Sequence, residues 1–523
     1  MNILSFTFIF LCLFVPFSVT ANTTTLHIAH TNDLHAHLTP FDIDGQECQD
    51  VTQPTCHGGY ARIKTLISKL REQHSDLIFL DAGDRFSGTP FYALRKSRDI
   101  ARLTESFKYD AMTLGNHDLD DGPEELSRFA EIVSTPILTA NVSFPASSPL
   151  SQRIASSHII TRNGKKIGII GILTPETKIE STGAKNINFK DITDTLKKNI
   201  SDFSNQGIDI IIVLSHVGLE ADKELAKQIP NIDIIVGGHS HSFLSNDPSD
   251  GNSVGPYPIV IESENKDKTL IVTAGMGGRV VGLLHAVFDS WGHIIEFSGN
   301  PIKITNDISM DPNMKKEIDA VSAQLEKILN TPVIISKIPV SLTPDKGFCG
   351  LSCHVGEVLS TALLKSGKKD NVDVALLNAG GIRAGFPMGQ ISYQHMIQAY
   401  PFNSAVVLVE MTGSELKKYI THGLKKYTPN ARTNALIHPA GLTYTFNSET
   451  KQITEISIQG KPLSPHKKYR VLLPAFLADG GDGFPVQKEQ RVLSYDLRNT
   501  LIDSLKTINF IPPLETRIKT IDL

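Results

Sequence analysis

The sequence predicts an α/β protein of two domains joined by a helix, and three observations predict it. Short apolar runs of strand length alternate with amphipathic stretches through the first half, the pattern of an α/β core with buried strands. That periodicity fades near Ile304, where a polar, helix-favouring segment begins, and a second mixture of strands and helices follows to the end. Finally, 523 residues exceed what one ordinary core holds. Composition is globular, with 40% hydrophobic and 20% charged residues. A net charge of −4 argues against general attraction to nucleic acid or anionic lipid.

The chain opens on an uncharged run, Ile3–Val19, rich in Phe, Leu, Ile and Val, with Val19, Thr20 and Ala21 offering small residues for cleavage. We read residues 1–21 as a signal peptide; it lacks the usual basic start, so an uncleaved anchor is the rival. No second stretch is apolar enough to span a bilayer, and Arg517–Leu523 is polar, unlike the tail of a lipid-anchor signal. The expected location is therefore periplasmic or secreted, without a stable membrane anchor. Cys12 falls in the leader. Cys48 with Cys56, and Cys349 with Cys353, form local pairs in Gly-rich loops, which in an exported protein read as disulfides. A zinc site is the rival, although neither pair has zinc-finger spacing.

Five strands are expected at Leu26–His30, Leu77–Leu80, Ala111–Leu114, Ile208–Leu214 and Ile232–Val236, with helical stretches at Ala61–His74 and Glu124–Val133. Lys166–Ile172, Ile259–Ile261 and Thr269–Thr273 read as further strands. Pro312–Leu329 reads as a connecting helix, with Asp311 as N-cap and Pro312 opening the first turn. The second domain shows strands at Val372–Leu377, Ala405–Val409 and Tyr469–Leu473 and helices at Val355–Lys365 and Ser414–Lys426. The expected divisions are 22–305, a connector at 306–331, and 332–523.

All five strands of the first half run into metal-binding residue types. They lead to Asp33 and His35, to Asp84, to Asn116, His117 and Asp118, to His216, and to His239 and His241. Ligands collect at the carboxyl ends of strands in α/β sheets. Any one of these residues is more often an ordinary loop or surface group, but five endings together outweigh that reading. Asp33 and His35, like His239 and His241, are two apart and can face one side of an extended segment. The carboxylate of Asp84 can bridge two cations, and mixed imidazole and carboxylate ligation suits zinc or manganese.

These motifs, Asp33-Leu34-His35, Gly83-Asp84, Gly115-Asn116-His117-Asp118, Ser215-His216 and Gly238-His239-Ser240-His241, resemble the five of the calcineurin-like metallophosphoesterase superfamily. The second half adds Asn378-Ala379-Gly380-Gly381-Ile382-Arg383 and the run from Phe476 to Phe484, and the whole resembles the 5′-nucleotidase family. The resemblance implies an N-terminal β-sandwich flanked by helices (αββα), a connector helix and a C-terminal α/β nucleotide-recognition domain. It implies two divalent metals, zinc first, with manganese or cobalt as substitutes. One would be held by Asp33, His35, Asp84 and His241, the other by Asp84, Asn116, His216 and His239. His117 resembles the catalytic imidazole; Asp120 resembles its carboxylate partner, with Asp118 a competitor on sequence alone.

The implied reaction is metal-hydroxide attack on phosphorus, with His117 stabilising phosphoryl charge or protonating the leaving oxygen. Phe402 and Phe476 resemble a base sandwich, Asn378 and Arg383 polar contacts, and Asp482 the ribose-hydroxyl acceptor. Core phenylalanines and an Asp-Gly turn are the bland readings. Two departures stand out: His37 replaces an arginine of the animal enzymes, and the Cys349–Cys353 loop lacks their arginine, so phosphate anchoring shifts toward Arg383 and the metals. The expected substrates are nucleoside 5′-monophosphates, small molecules rather than nucleic acid. UDP-sugar or 2′,3′-cyclic-nucleotide hydrolysis is the near alternative. A thiosulfate-ester hydrolase and a non-catalytic nucleotide-binding protein are remote ones.

Overall fold

The computed structural model describes residues 23–184, 186–262, 268–343, 347–402, 404–425, 427, 433–508 and 510–521. The expected leader, Cys12, Asn403, Lys426 and the last two residues lie outside these. No helix among the described residues is long and apolar enough to cross a membrane.

The first half folds as two sheets face to face. The first, seven-stranded, runs in the order Ile294–Lys303, Val280–Phe288, Thr24–Thr31, Ile78–Asp81, Ala111–Thr113, Ile137–Leu138 and Ile154–Ala155. The second, six-stranded, runs Ile259–Glu262, Lys268–Val272, Ile234–Gly237, Ile210–His216, Lys165–Leu173 and Ser157–Arg162. Leu26, Ile28, Ile78 and Leu80 of the first sheet join Ile167, Ile169, Ile212 and Ile234 of the second in one buried cluster. Ala29 and Phe79, alternating onto the other face, pack with Ile63 and Ile67 of the helix Tyr60–Gln73 and with Leu126 and Phe129 of Pro123–Ile132. The second sheet is covered by Ile192–Ser204 and Leu219–Gln228, whose Leu196, Phe203 and Leu225 belong to the same buried cluster, Phe203 lying over Gly168 on the face away from the first sheet. The result is the αββα sandwich that the family resemblance implied.

Pro312–Leu329 begins and ends where its signals place it: the Asp311 carboxylate accepts the Met314 N–H at 2.8 Å. Its apolar stripe, Met314, Ile318, Val321 and Leu325, is buried with the first-domain helices, so the connector is a packed part of that domain's surface. Beyond it, a five-stranded mixed sheet runs Ile437–Ala440, Val374–Asn378, Lys468–Pro474, Val406–Thr412 and Arg491–Ser494, and packs on the helices His354–Ser366 and Leu497–Lys506. A four-stranded sheet that includes Leu442–Asn447 and Gln452–Ile458 extends it. Both expected disulfides are present, Cys48–Cys56 and Cys349–Cys353. His438 Nε2 lies 3.1 Å from Cys349 Sγ, but the sulfurs are bonded to each other and the zinc reading of these pairs falls.

Candidate active site

Register carries the chemistry to one place. In the first sheet Thr31 stands beside Asp81 and Asp81 beside Met112, so the parallel strands end level and the next residues leave from one edge. In the second, His216 stands beside Leu173 and Ser215 beside Gly237. The two edges meet where His216 Nδ1 donates to the Ala82 carbonyl at 2.6 Å. The loops are tied together as well: Asp33 N–H donates to Gly83 O and His35 N–H to Asp84 O, each at 2.9 Å. Gly115 is required by a close approach, since a Cβ there would meet Asp84 Oδ1 at 2.0 Å.

The expected ligands converge. Asp33, Asp84, His216, His35 and Asn116 are buried; His239 and His241 are partly exposed at the rim. His241 Nε2 lies 3.3 Å and His35 Nε2 4.0 Å from Asp33 Oδ1, while His35 Nε2 is 3.8 Å from Asp84 Oδ2. On the other side His216 Nε2 is 3.2 Å from Asp84 Oδ2, and Asn116 Oδ1 sits 3.1 Å from His216 Nε2 and 3.0 Å from His239 Nδ1. Two donor sets result, Asp33 with His35 and His241, and Asp33 with Asp84 and His216; Asp33 belongs to both, 3.9 Å from His216, and Asp84 lies between His35 and His216. The chemistry of these sets fits cations. His35 Nε2 and His241 Nε2 face each other at 3.0 Å, although the His35 ring already turns Nδ1 to the Phe86 carbonyl at 3.2 Å. Lone pairs converge there with few protons to separate them, which is what a divalent ion supplies.

His117 stands beside these sets. Its N–H donates to Asp84 Oδ1 at 2.9 Å and its Nδ1 faces Asp120 Oδ2 at 3.0 Å. Burial pulls this imidazole down, but the carboxylates of Asp120 and Asp84 outweigh burial and raise it to about 9, so it carries a proton at neutral pH. Asp118 is engaged elsewhere: it accepts from Arg85 N–H at 3.0 Å and the Arg85 guanidinium at 2.9 Å, and Arg85 also pairs with Asp81. Geometry thus separates the two candidate partners of His117.

The second domain faces this centre across a cleft of about 970 Å³ lined by both halves. All five expected contact residues line it: Asn378, Arg383, Phe402, Phe476 and Asp482. Asn378 ends its strand and donates to Asp482 Oδ2 at 2.7 Å. Arg383 lies under the field of Asp84 and Asp33, yet burial lowers its guanidinium to about 10. Its Nε donates to Gly380 O at 2.7 Å and its Cζ lies 4.8 Å over the Phe402 ring. Phe402 in turn stacks on His117, centroids 4.7 Å apart and planes 26° from parallel. The two phenylalanines thus share the cleft, and one of them touches the His117 ring itself. His37 stacks on Phe41 at 4.0 Å, and burial, with Arg279 and Arg383 nearby, holds it neutral at about 3.

Sequence reading missed three residues here. Ser87 donates to Asp120 Oδ2 at 2.7 Å and fixes the dyad's carboxylate. Arg279, with His35, His37 and Arg383, lines a small side pocket. Glu180 lines the main cleft with its Oε2 buried and without a hydrogen-bond partner; burial raises its carboxyl to about 8. None carries a motif.

Comparison with known proteins agrees with this geometry. Residues 26–243 match the family model of the calcineurin-like phosphoesterases, and residues 345–489 that of the 5′-nucleotidase C-terminal domain. The snake venom 5′-nucleotidase of Crotalus adamanteus is 31% identical over 90% of this chain and 84% of its own. The 5′-nucleotidase of Homo sapiens is 30% identical over 94% and 90%. Among solved structures, a 5′-nucleotidase precursor from Thermus thermophilus superposes with a TM-score of 0.84 at 27% identity, covering 95% of this chain and 99% of that one.

Proposed function

The chain belongs to the 5′-nucleotidase family of calcineurin-like metallophosphoesterases, and from that premise we propose that it is an exported dimetal 5′-nucleotidase releasing phosphate from nucleoside 5′-monophosphates. One observation carries the reading. The two donor sets and the protonated His117 lie on one wall of a cleft whose other wall presents two aromatic rings, an arginine and the Asn378–Asp482 pair. A phosphate seated at the first wall places a nucleoside against the second.

Asp33, His35, Asp84 and His241 would hold one cation, and Asp84, Asn116, His216 and His239 the other, zinc suiting this donor set best. Bound there, the pair supplies Lewis-acid polarisation of the phosphoryl group and lowers the pKa of water to about 7. The chain's own groups do the rest. Arg383 pairs with the phosphoryl oxygens, taking over the anchoring role of the arginines that are absent at position 37 and in the 349–353 loop. His117 Nε2 donates to the oxygen on which charge develops, as Asp120, itself fixed by Ser87, holds the ring by Nδ1. Phe402 and Phe476 flank the base and Asp482 accepts from the ribose. The functional boundaries are 22–305 for catalysis, 306–331 for the connector and 332–523 for recognition, after export by residues 1–21.

Turnover of AMP, UDP-glucose and 2′,3′-cyclic AMP on metal-loaded protein, followed by chromatography of the products because the last two yield phosphate esters rather than free phosphate on first cleavage, tests the reading. AMP turnover well above the other two is expected. A preference for UDP-glucose would transfer the reading to UDP-sugar hydrolysis, for which a cleft of about 970 Å³ also has room.

A further inference from the structure

A second constellation of metal-ligating side chains lies far from the catalytic centre. His27 precedes Asp33 by six residues on the strand Thr24–Thr31, so at about 3.3 Å per residue it sits roughly 20 Å away, toward the opposite end of the first sheet. The next antiparallel strand places His285 directly across from it. The helix Tyr60–Gln73 ends there, with His74 as its C-cap, and Asp76 follows before the strand Ile78–Asp81.

Four side chains therefore meet from three segments, the two strands and the turn that carries both His74 and Asp76. His27 Nδ1 is 2.8 Å from Asp76 Oδ2 and 3.0 Å from Oδ1, and the His27 N–H also donates to Oδ2 at 3.1 Å. The His27 and His74 rings stack with centroids 3.8 Å apart, and His285 lies 4.9 Å from His27 at a tilt of 51°. Donor atoms of His27, His74 and Asp76 all lie within 4.8 Å of one another. All four residues are partly exposed, so an ion can reach them and their rotamers can adjust.

One His–Asp pair is an ordinary way to pin a strand to a loop. It does not account for two more imidazoles in ring contact with the first, one at the helix end and one on the neighbouring strand. We propose that His27, His74 and Asp76, with His285 as the neighbouring fourth donor, form a peripheral site for one divalent transition ion of the zinc, copper and nickel class. Such mixed imidazole and carboxylate ligation favours these ions over calcium or magnesium. Bonds of about 2.0–2.1 Å to a tetrahedral ion put neighbouring donors about 3.4 Å apart. The ion would thus replace the proton shared by His27 and Asp76, opening that pair by about half an ångström, while His74 swings in from its stack.

Ion counting tests this on full-length protein. After equilibration at micromolar free zinc and gel filtration, the wild type should retain one zinc more per chain than the His27→Ala/His74→Ala variant, with AMP turnover equal in both. Equal zinc in the two proteins overturns the proposal, whatever the catalytic centre holds, because only the difference is read. His74→Gln alone, at a partly exposed helix end, serves should the double variant fold poorly. It should weaken retention of that extra ion at least ten-fold, and unchanged retention counts against the site.

Discussion

The two walls of the cleft are built on different principles. On the metal-facing wall the backbone is left-handed at Asp33 (φ 51°), His35 (φ 45°), Asp84 (φ 57°), His239 (φ 72°) and His241 (φ 53°). Such conformations cost non-glycine residues about 1–3 kcal/mol each and persist only where surroundings over-determine them. Here the level strand ends and the hydrogen bonds between loops do so. The facing wall has one such expected contact residue, Asp482 (φ 53°), and its aromatic rings are partly exposed. Strain and burial are thus concentrated where the carboxylates and imidazoles converge, and the facing wall is left looser. Substitutions on the first wall should therefore abolish chemistry, and those on the second should redistribute it among substrates, except at Arg383 and Phe402, which reach the first wall.

The largest expected effect follows from Asp84, whose two oxygens face His216, His35 and the His117 N–H. Asp84→Ala should lose bound metal together with turnover, as should prolonged chelation of the wild type, with zinc, manganese or cobalt restoring only the latter. Elemental analysis beside phosphate release checks both. An active, metal-free Asp84→Ala protein would remove the distinction between the walls.

Next comes His117. His117→Ala should lower kcat by about 10²–10⁴ with metal content unchanged, since it removes a donor rather than a ligand. Asp120→Asn should cost less, because the asparagine oxygen can still accept from Ser87 and from His117 Nδ1 and only the negative charge is lost. Loss of metal from His117→Ala would make it a ligand.

A third prediction reaches beneath the same wall. Arg85 is fully buried between Asp81 and Asp118. Removing one partner of a buried ion pair costs about 3–5 kcal/mol. Arg85→Ala should show a loss of that order in denaturant unfolding, whereas Asn378→Ala on the looser wall should change stability by about 1–2 kcal/mol, the scale of one hydrogen bond.

How much of this was legible in the sequence depends on what each residue's role is made of. The strand ends were legible because an apolar run and its motif are contiguous, and the connector helix because Asp311 and Pro312 are local signals. Asp118 and Asp120 could not be told apart, both lying beside His117. The single turn Asn116–Leu119 sends Asp118 inward to Arg85 and brings Asp120, three residues on, over the His117 ring. Glu180 was invisible because its setting is assembled from groups far off in sequence, His117 and Asp84 on one side and Asp482 of the other domain. Helices such as Ile192–Ser204 and Leu219–Gln228 went unnamed, since polar residues dominate them and only a few positions meet the core.

The smallest effect discriminates best, and it rests on the two phenylalanines. Stacking on a base is worth about 1–3 kcal/mol per ring by alanine substitution. Phe476→Ala should raise KM for AMP about ten-fold, at 1.4 kcal/mol per decade. It should leave a simple alkyl phosphate nearly unaffected, because that ring packs on the second-domain core and beside Gly481. The sequence led to the same expectation for Phe402, but the structure sharpens it. Phe402 lies against His117 and under Arg383, so its removal unseats groups that meet the phosphoryl end. Phe402→Ala should therefore impair AMP more than Phe476→Ala does, and should lower kcat for the alkyl phosphate too, by a few-fold. If both variants lose only AMP affinity, the rings are a plain pair of base platforms and the walls act independently. If both lose alkyl phosphate turnover alike, with lower melting temperatures, the rings are core residues and the base clamp fails. The expected asymmetry, in which Phe476 affects selectivity alone and Phe402 affects selectivity and rate together, would locate the one place where the loose wall reaches into the rigid one.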